Sequence, residues 1–196
     1  MSDFRLISPK RRNQTKEVKD YRLHKNDLCE DFKNSCGYCG DNDAFSGGKR
    51  FYQIDHFVPK SFEEIDRAEY SNLVYSCFFC NNRKRKDWPT GNINQHNDGI
   101  RGYIDPCHDD FPGHFKRNER GDIIPCSQLG DYMHLHLNLG LRRHALIWNL
   151  SRFEIRIERL KKLKEKGLLK DHILEYCTLL EKYYEEMMYL RVINNE

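Results

Sequence analysis

Apolar residues recur at steps of three and four in two places near the C-terminal end of this 196-residue chain. Leu146, Leu150, Phe153, Ile157 and Leu160 form one run; Ile173, Tyr176, Leu180, Tyr183, Met187 and Leu190 form the other. Steps of that size gather side chains on one face of a helix. Gly167 lies between the runs, so the pattern predicts an antiparallel helical hairpin. A weaker pattern of Val18, Tyr21, Leu28 and Phe32 predicts a helix over 15–33, opened by the cap-like Thr15-Lys-Glu-Val. Residues 50–58, with Phe51-Tyr52-Gln53-Ile54, are the best strand, and Pro59 ends it. A short helix is expected over 70–75. Another is expected through the run Arg83-Lys84-Arg85-Lys86, stopped by Trp88-Pro89. Residues 90–112 are rich in Gly, Asn, Asp and Pro and read as irregular; residues 114–125 read as a hairpin turning at Glu119-Arg120-Gly121. The expected class is α+β. The expected division is a flexible basic arm over 1–14, a compact segment over 15–90, an irregular linker with a β-hairpin over 91–126, and a helical region over 127–196.

Composition qualifies this picture. Only 38% of residues are hydrophobic and 32% are charged, with mean hydropathy −0.86. A core that thin needs help, while 12% aromatic residues argue against global disorder. Eight cysteines suggest the helper. No run of about 18 apolar residues is present, so no membrane span is expected. The first residues lack the apolar stretch of a secretion signal, which points to a cytoplasmic, reducing setting where paired cysteines mean metal or catalysis before disulfides. The formal charge of +3 is unevenly spread. Residues 1–28 carry eight Lys/Arg against four Asp/Glu, and residues 151–167 carry seven against three; residues 168–196 are net acidic. Basic segments attract phosphate backbones, although such runs are also what solvated helix faces look like.

Cys36-Gly-Tyr-Cys39 and Cys77-Phe-Phe-Cys80 are two C-x-x-C knuckles. Each can point two thiolates at one ion, and together they complete the tetrahedral S4 shell of a structural zinc site. Such a site joins distant parts of the chain and couples metal binding to folding. Iron suits the same thiolates, and a thiol redox pair or unrelated buried cysteines are the further alternatives. Cys29, Cys107, Cys126 and Cys177 lack the spacing and read as small buried hydrophobes. Cys107-His108-Asp109-Asp110 with His114 is also metal-like in composition, but turns collect the same residues. Trp88 and Trp148 read as core.

Between the knuckles the strand leads into Asp55-His56; Asn72 follows in Ser-Asn-Leu-Val, and Asn81 directly follows Cys80 in Cys-Asn-Asn-Arg-Lys. In this order the stretch from about Leu28 to Trp88 resembles the HNH nuclease family, with its ββα-metal fold. Asn81 stands where that family often has His, a combination similar to the phage junction-resolving endonuclease VII branch. The resemblance implies a DNA endonuclease leaving a 5′-phosphate and a 3′-hydroxyl. In it Asn72 holds the backbone of the His56 loop, Lys84 contacts a phosphate, and zinc has no catalytic duty. Arg83, Lys84, Arg85 and Lys86 are the expected nucleic-acid contacts.

The residue chemistry agrees with the resemblance. Phosphodiester hydrolysis needs a deprotonated water and charge compensation at the leaving oxygen. Asp55 offers a carboxylate and Asn81, or its neighbour Asn82, an amide oxygen, a set that suits Mg²⁺ or Mn²⁺ better than zinc. His56, with an ordinary pKa of about 6.5, can take a proton from water. Neighbours on a strand point to opposite sides, so Asp55 and His56 share a site only if the strand twists, bulges or ends there. The competing expectation is a zinc-stabilised nucleic-acid-binding module without catalysis. A looser resemblance rests on Ile104-Asp105-Pro106 through Asp109-Asp110, His114-Phe115, Gly121-Asp122-Ile123-Ile124-Pro125, and Leu137 to Leu141. They are similar to the tail of small bacterial HNH proteins in anti-phage systems, some of which work beside an ABC-type ATPase, as in Septu-like pairs. It implies antiviral defence and an ATPase docking on the C-terminal helices.

Overall fold

The computed structural model describes residues 4–168 and 170–195. A single turn of 3-10 helix leads into helix α1 (Lys25–Asp31). Strands β1 (Gln53–His56) and β2 (Leu73–Ser76) pair antiparallel, with Asp55 opposite Val74 and His56 opposite Leu73. Helix α2 (Phe78–Lys84) follows at once and packs on β1. A second two-stranded sheet, β3 (Phe115–Arg117) with β4 (Ile123–Pro125), precedes α3 (Gln128–His136). Two long helices, α4 (Arg142–Glu165) and α5 (Ile173–Asn195), complete the chain. Mixed helices and small antiparallel sheets make this an α+β fold.

The hairpin reading of 114–125 agrees with β3 and β4. The helix expected over 70–75 is instead one 3-10 turn, Tyr70–Asn72, and then β2. All four β2 residues are buried, so the strand has no polar alternation to announce it. The helix expected over 15–33 begins only at Tyr21 and ends at Asp31. Helix α2 stops within the basic run because Arg85 turns into the left-handed region at φ 49°. That turn separates Lys84, buried, from Arg85 and Lys86, exposed.

The basic arm is not loose from residue 4 onward. Phe4 is buried against Phe111 and Phe115. Arg11 pairs with Asp105 at 2.8 Å, and Arg12 reaches Asp27 at 2.7 Å and Asp31 at 3.0 Å. Residues 91–126 are no linker either. Tyr103, Phe111, Phe115 and Ile123 lie in one buried cluster with Leu28, Phe32, Tyr38 and Tyr75, so the core runs across the boundaries expected at 14, 90 and 126. The arm contributes Phe4 alone, and Tyr103, Phe111, Phe115 and Ile123 are spaced too irregularly to show a period.

Helices α4 and α5 lie side by side, joined by Arg156–Glu175 at 2.6 Å, Tyr183–Glu154 at 3.0 Å and Asn149–Glu186 at 3.1 Å. Partners falling in one chain direction on α4 and the other on α5 make the pair antiparallel. Its apolar seam uses Leu146, Leu150, Ile157, Leu160, Leu179 and Leu190. The start of α4 docks on the knuckle region: His144 meets Asp41 at 2.8 Å and Arg143 bonds Ser46 at 2.9 Å. No described helix is long and apolar enough to cross a membrane.

Candidate active site

The two knuckles meet. The sulfurs of Cys36, Cys39, Cys77 and Cys80 lie within 4.8 Å of one another, all buried. Four sulfurs about 2.3 Å from one zinc ion stand about 3.8 Å apart in a tetrahedron, and Cys39 Sγ to Cys77 Sγ is 3.8 Å. The donors therefore fit zinc. The first knuckle is pinned to β2 by Gly37 N donating to Tyr75 O at 2.8 Å. A Cβ at Gly37 would stand 2.7 Å from both the Phe32 ring and Val74, so no larger residue fits there.

A zinc ion with four thiolates carries a net charge of −2, which is costly in a buried place. Two buried guanidiniums stand beside it. Arg5 donates to Gly37 O and to Pro106 O, the latter at 3.0 Å; Arg117 donates to Cys39 O at 2.9 Å and also to Phe4, Gly121 and His144 carbonyls. Burial pulls both down, to a pKa of about 10, so both remain cationic at neutral pH. Their charge would offset that of a zinc–thiolate centre, which would give the docked arm a physical reason.

Of the remaining cysteines only Cys29 is buried; Cys107 is half-buried, and Cys126 and Cys177 are exposed, against expectation. Cys107 packs against the edge of the main core, whereas Cys126 follows β4 and Cys177 lies on the exposed side of α5. Among the described residues, Cys107, His108, Asp109, Asp110 and His114 do not gather into a metal-binding group. Asp41 and His144 do stand beside Cys39, as a buried hydrogen-bonded pair. Trp88 and Trp148 are buried, as read.

A cleft of about 1070 Å³ opens beside β1. Asp55, His56, Asn81 and Asn82 all border it. Asp55 and His56 share it because β1 ends at His56 and the cleft wraps that end. His56 is largely buried, its ring against Tyr21 with centroids 4.8 Å apart. Its Nε2 lies 2.9 Å from the carbonyl oxygen of Arg67. A carbonyl can only accept, so Nε2 carries the proton and Nδ1 holds the free lone pair of the neutral ring. Burial pushes the imidazole below its usual pKa, outweighing the Arg67 carbonyl, which favours the charged ring. The ring is thus a neutral base at neutral pH.

Asn72 clamps the chain just past His56. Its Oδ1 accepts from Val58 N at 2.8 Å and its Nδ2 donates to Val58 O at 3.0 Å. Asn81 donates its amide to Gln53 Oε1, which leaves its own Oδ1 for another partner. Asn82 is exposed. Asp55 accepts from Tyr38 Oη at 2.5 Å and faces Lys84 Nζ at 3.1 Å, both through Oδ2; Oδ1 accepts no hydrogen bond from the described residues. A carboxylate oxygen and an amide oxygen on one cleft fit a hard divalent cation.

The model of a family described as HNH endonuclease matches residues 36–87. These residues are an HNH domain. No curated protein and no solved structure matches the chain.

The HNH domain thus holds both knuckles, Asp55, His56, Asn72, Asn81 and Lys84. Lys84 departs from its expected role. Its side chain is fully buried, donates to His56 O at 2.9 Å and pairs with Asp55, so it offers a phosphate nothing. Arg85 and Lys86 border the HNH cleft, whereas Arg83 lies exposed away from it. The cleft also uses residues the sequence reading passed over. Arg50, Lys60 and Arg67 within the domain, and Arg22 and Lys25 before it, join Arg85 and Lys86, making seven basic side chains against one carboxylate, Asp55. The basic run over 1–28 was the only advance signal of two of them. Tyr38, inside the first knuckle, had none.

Proposed function

We propose that the protein is a metal-dependent endonuclease hydrolysing DNA phosphodiester bonds, with zinc held by Cys36, Cys39, Cys77 and Cys80 for structure. Asp55 and Asn81 would hold Mg²⁺ or Mn²⁺. Asn81 is preferred to Asn82 because its amide nitrogen is already bonded to Gln53 and its oxygen is thereby oriented. The observation that carries the reading is the cleft itself. A neutral imidazole, an uncommitted carboxylate oxygen and a carboxamide border one opening whose remaining charged residues are all basic.

The bound cation supplies charge compensation at the scissile phosphate and the leaving oxygen. His56 Nδ1 takes the proton of the attacking water, while Nε2–H stays anchored on Arg67 O. Asn72 keeps the imidazole in place by fixing Val58. The seven rim cations attract the sugar–phosphate backbone and hold it over the site. The resemblance implies a 5′-phosphate and a 3′-hydroxyl as products.

Purified protein is expected to nick supercoiled plasmid when Mg²⁺ or Mn²⁺ is supplied and to do nothing with chelator present. A mobility shift without nicking would instead support the non-catalytic binding module. The rim makes a second prediction in the same assay. Removing two phosphate contacts in Arg85→Ala/Lys86→Ala should weaken binding to all sequences alike and reduce the slope of log K against log salt by about two units. An unchanged slope would place the backbone elsewhere.

The proposal extends to bacterial anti-phage defence beside a partner ATPase. Its support is the resemblance of residues 104–141, together with the outer side of α5, where Leu174, Tyr184 and Val192 stand exposed.

A further inference from the structure

Asp55 Oδ2 receives two buried donors. One is the phenol of Tyr38 at 2.5 Å, the other the ammonium of Lys84 at 3.1 Å. Both side chains are fully buried. An ammonium in such a place must be compensated. Lys84 has three partners: the Asp55 carboxylate, the carbonyl of His56 at 2.9 Å, and the face of the Tyr103 ring with its centroid 5.5 Å away. None of these contacts reaches solvent or substrate. Their common effect is to fix how Asp55 faces the cleft.

The origin of the two donors is informative. Tyr38 lies between the two cysteines of the first knuckle, and Lys84 ends the helix that starts in the second. Each half of the thiolate shell therefore sends one side chain to the same carboxylate oxygen. We propose that Tyr38 and Lys84 are positioning residues that occupy Asp55 Oδ2 and present Oδ1 alone to the catalytic divalent cation, a role that rests on the nuclease reading above. The thiolate shell then acts on the reaction through these two contacts. Lys84, by also holding the His56 carbonyl, fixes the spacing between the ligand-bearing and base-bearing residues.

Partners that orient a metal-binding carboxylate typically change metal affinity 10–100-fold when removed. Tyr38→Phe deletes one oxygen and keeps the ring that fills the core. Expected results are zinc content equal to wild type by elemental analysis, a 10–100-fold weaker affinity for Mn²⁺ followed by electron paramagnetic resonance of the free ion, and an equal rise in the Mn²⁺ concentration that half-saturates nicking. Raising Mn²⁺ should restore most of the lost rate, which a merely unfolded fraction would not allow. Lys84→Met keeps the stem and removes the charge, and it should shift the same two quantities in the same direction. Tyr38→Phe protein with full zinc and wild-type Mn²⁺ affinity, beside a wild type that binds Mn²⁺, overturns this inference alone. A wild type that binds no Mn²⁺ overturns it together with the nuclease reading.

Discussion

His56→Ala is expected to lower plasmid nicking by about 10²–10⁴-fold, the range for loss of a positioned general base, with zinc content unchanged. The two effects separate because the imidazole and the thiolates belong to different parts of the domain. The ring touches Tyr21 and the Arg67 carbonyl at the cleft wall, and it takes no part in the sulfur cluster. Water fills the gap left at the open edge, so the stability cost stays at roughly 1–3 kcal/mol. Asp55 and Asn81 remain in place, so Mn²⁺ binding should survive the substitution even as turnover disappears. Wild-type nicking in His56→Ala would remove the imidazole from the mechanism and leave the cleft as a binding surface.

The parts of this site that the sequence made legible are those whose chemistry dictates spacing. Two thiolates reach one ion only from a short turn, so Cys36/Cys39 and Cys77/Cys80 announce themselves without coordinates. Asp55-His56, Asn72 and Asn81 are legible as an ordered set rather than singly. The long helices α4 and α5 are legible because their apolar seams persist over many turns. Strand β2 is not, since a short strand buried on both sides has the same composition as a buried turn of helix.

Charge was the least legible feature. A basic residue in a basic run reads as solvated. Arg5 and Arg117 are instead buried on backbone carbonyls beside the sulfur cluster, and Lys84 is buried on Asp55. In each case the partner is remote in sequence and, for the two arginines, is a carbonyl that every residue type has. The rim of the cleft is hidden for a related reason. Arg22, Lys25, Arg50, Lys60 and Arg67 come from separated stretches, and only the folded chain brings them to one opening. Tyr38 shows the limit: inside a knuckle it reads as packing, and its meaning depends on where Asp55 Oδ2 lies.

Cys77→Ser should fail differently from His56→Ala, losing zinc, solubility and activity together. Structural zinc bound by thiolates contributes an apparent 10–16 kcal/mol to folding in small domains, comparable with the whole stability of an ordinary domain at about 5–15 kcal/mol. Loss of one thiolate forfeits much of that. It also reduces the negative charge that Arg5 and Arg117 are buried to offset, leaving two guanidiniums with their desolvation cost and less to compensate it. The damage should spread along named contacts. Arg5 and Arg117 hold Phe4, Pro106, Gly121 and the start of α4, and Tyr38 and Lys84 hold Asp55. A chelator strong enough to strip the thiolate-bound ion should reproduce the collapse in wild-type protein, whereas a mild thiol reductant should leave the melting temperature unchanged, since no disulfide is at stake. Wild-type protein free of zinc, or Cys77→Ser protein that melts where wild type does, would show that the four sulfurs stabilise the domain as apolar packing and not as a metal shell.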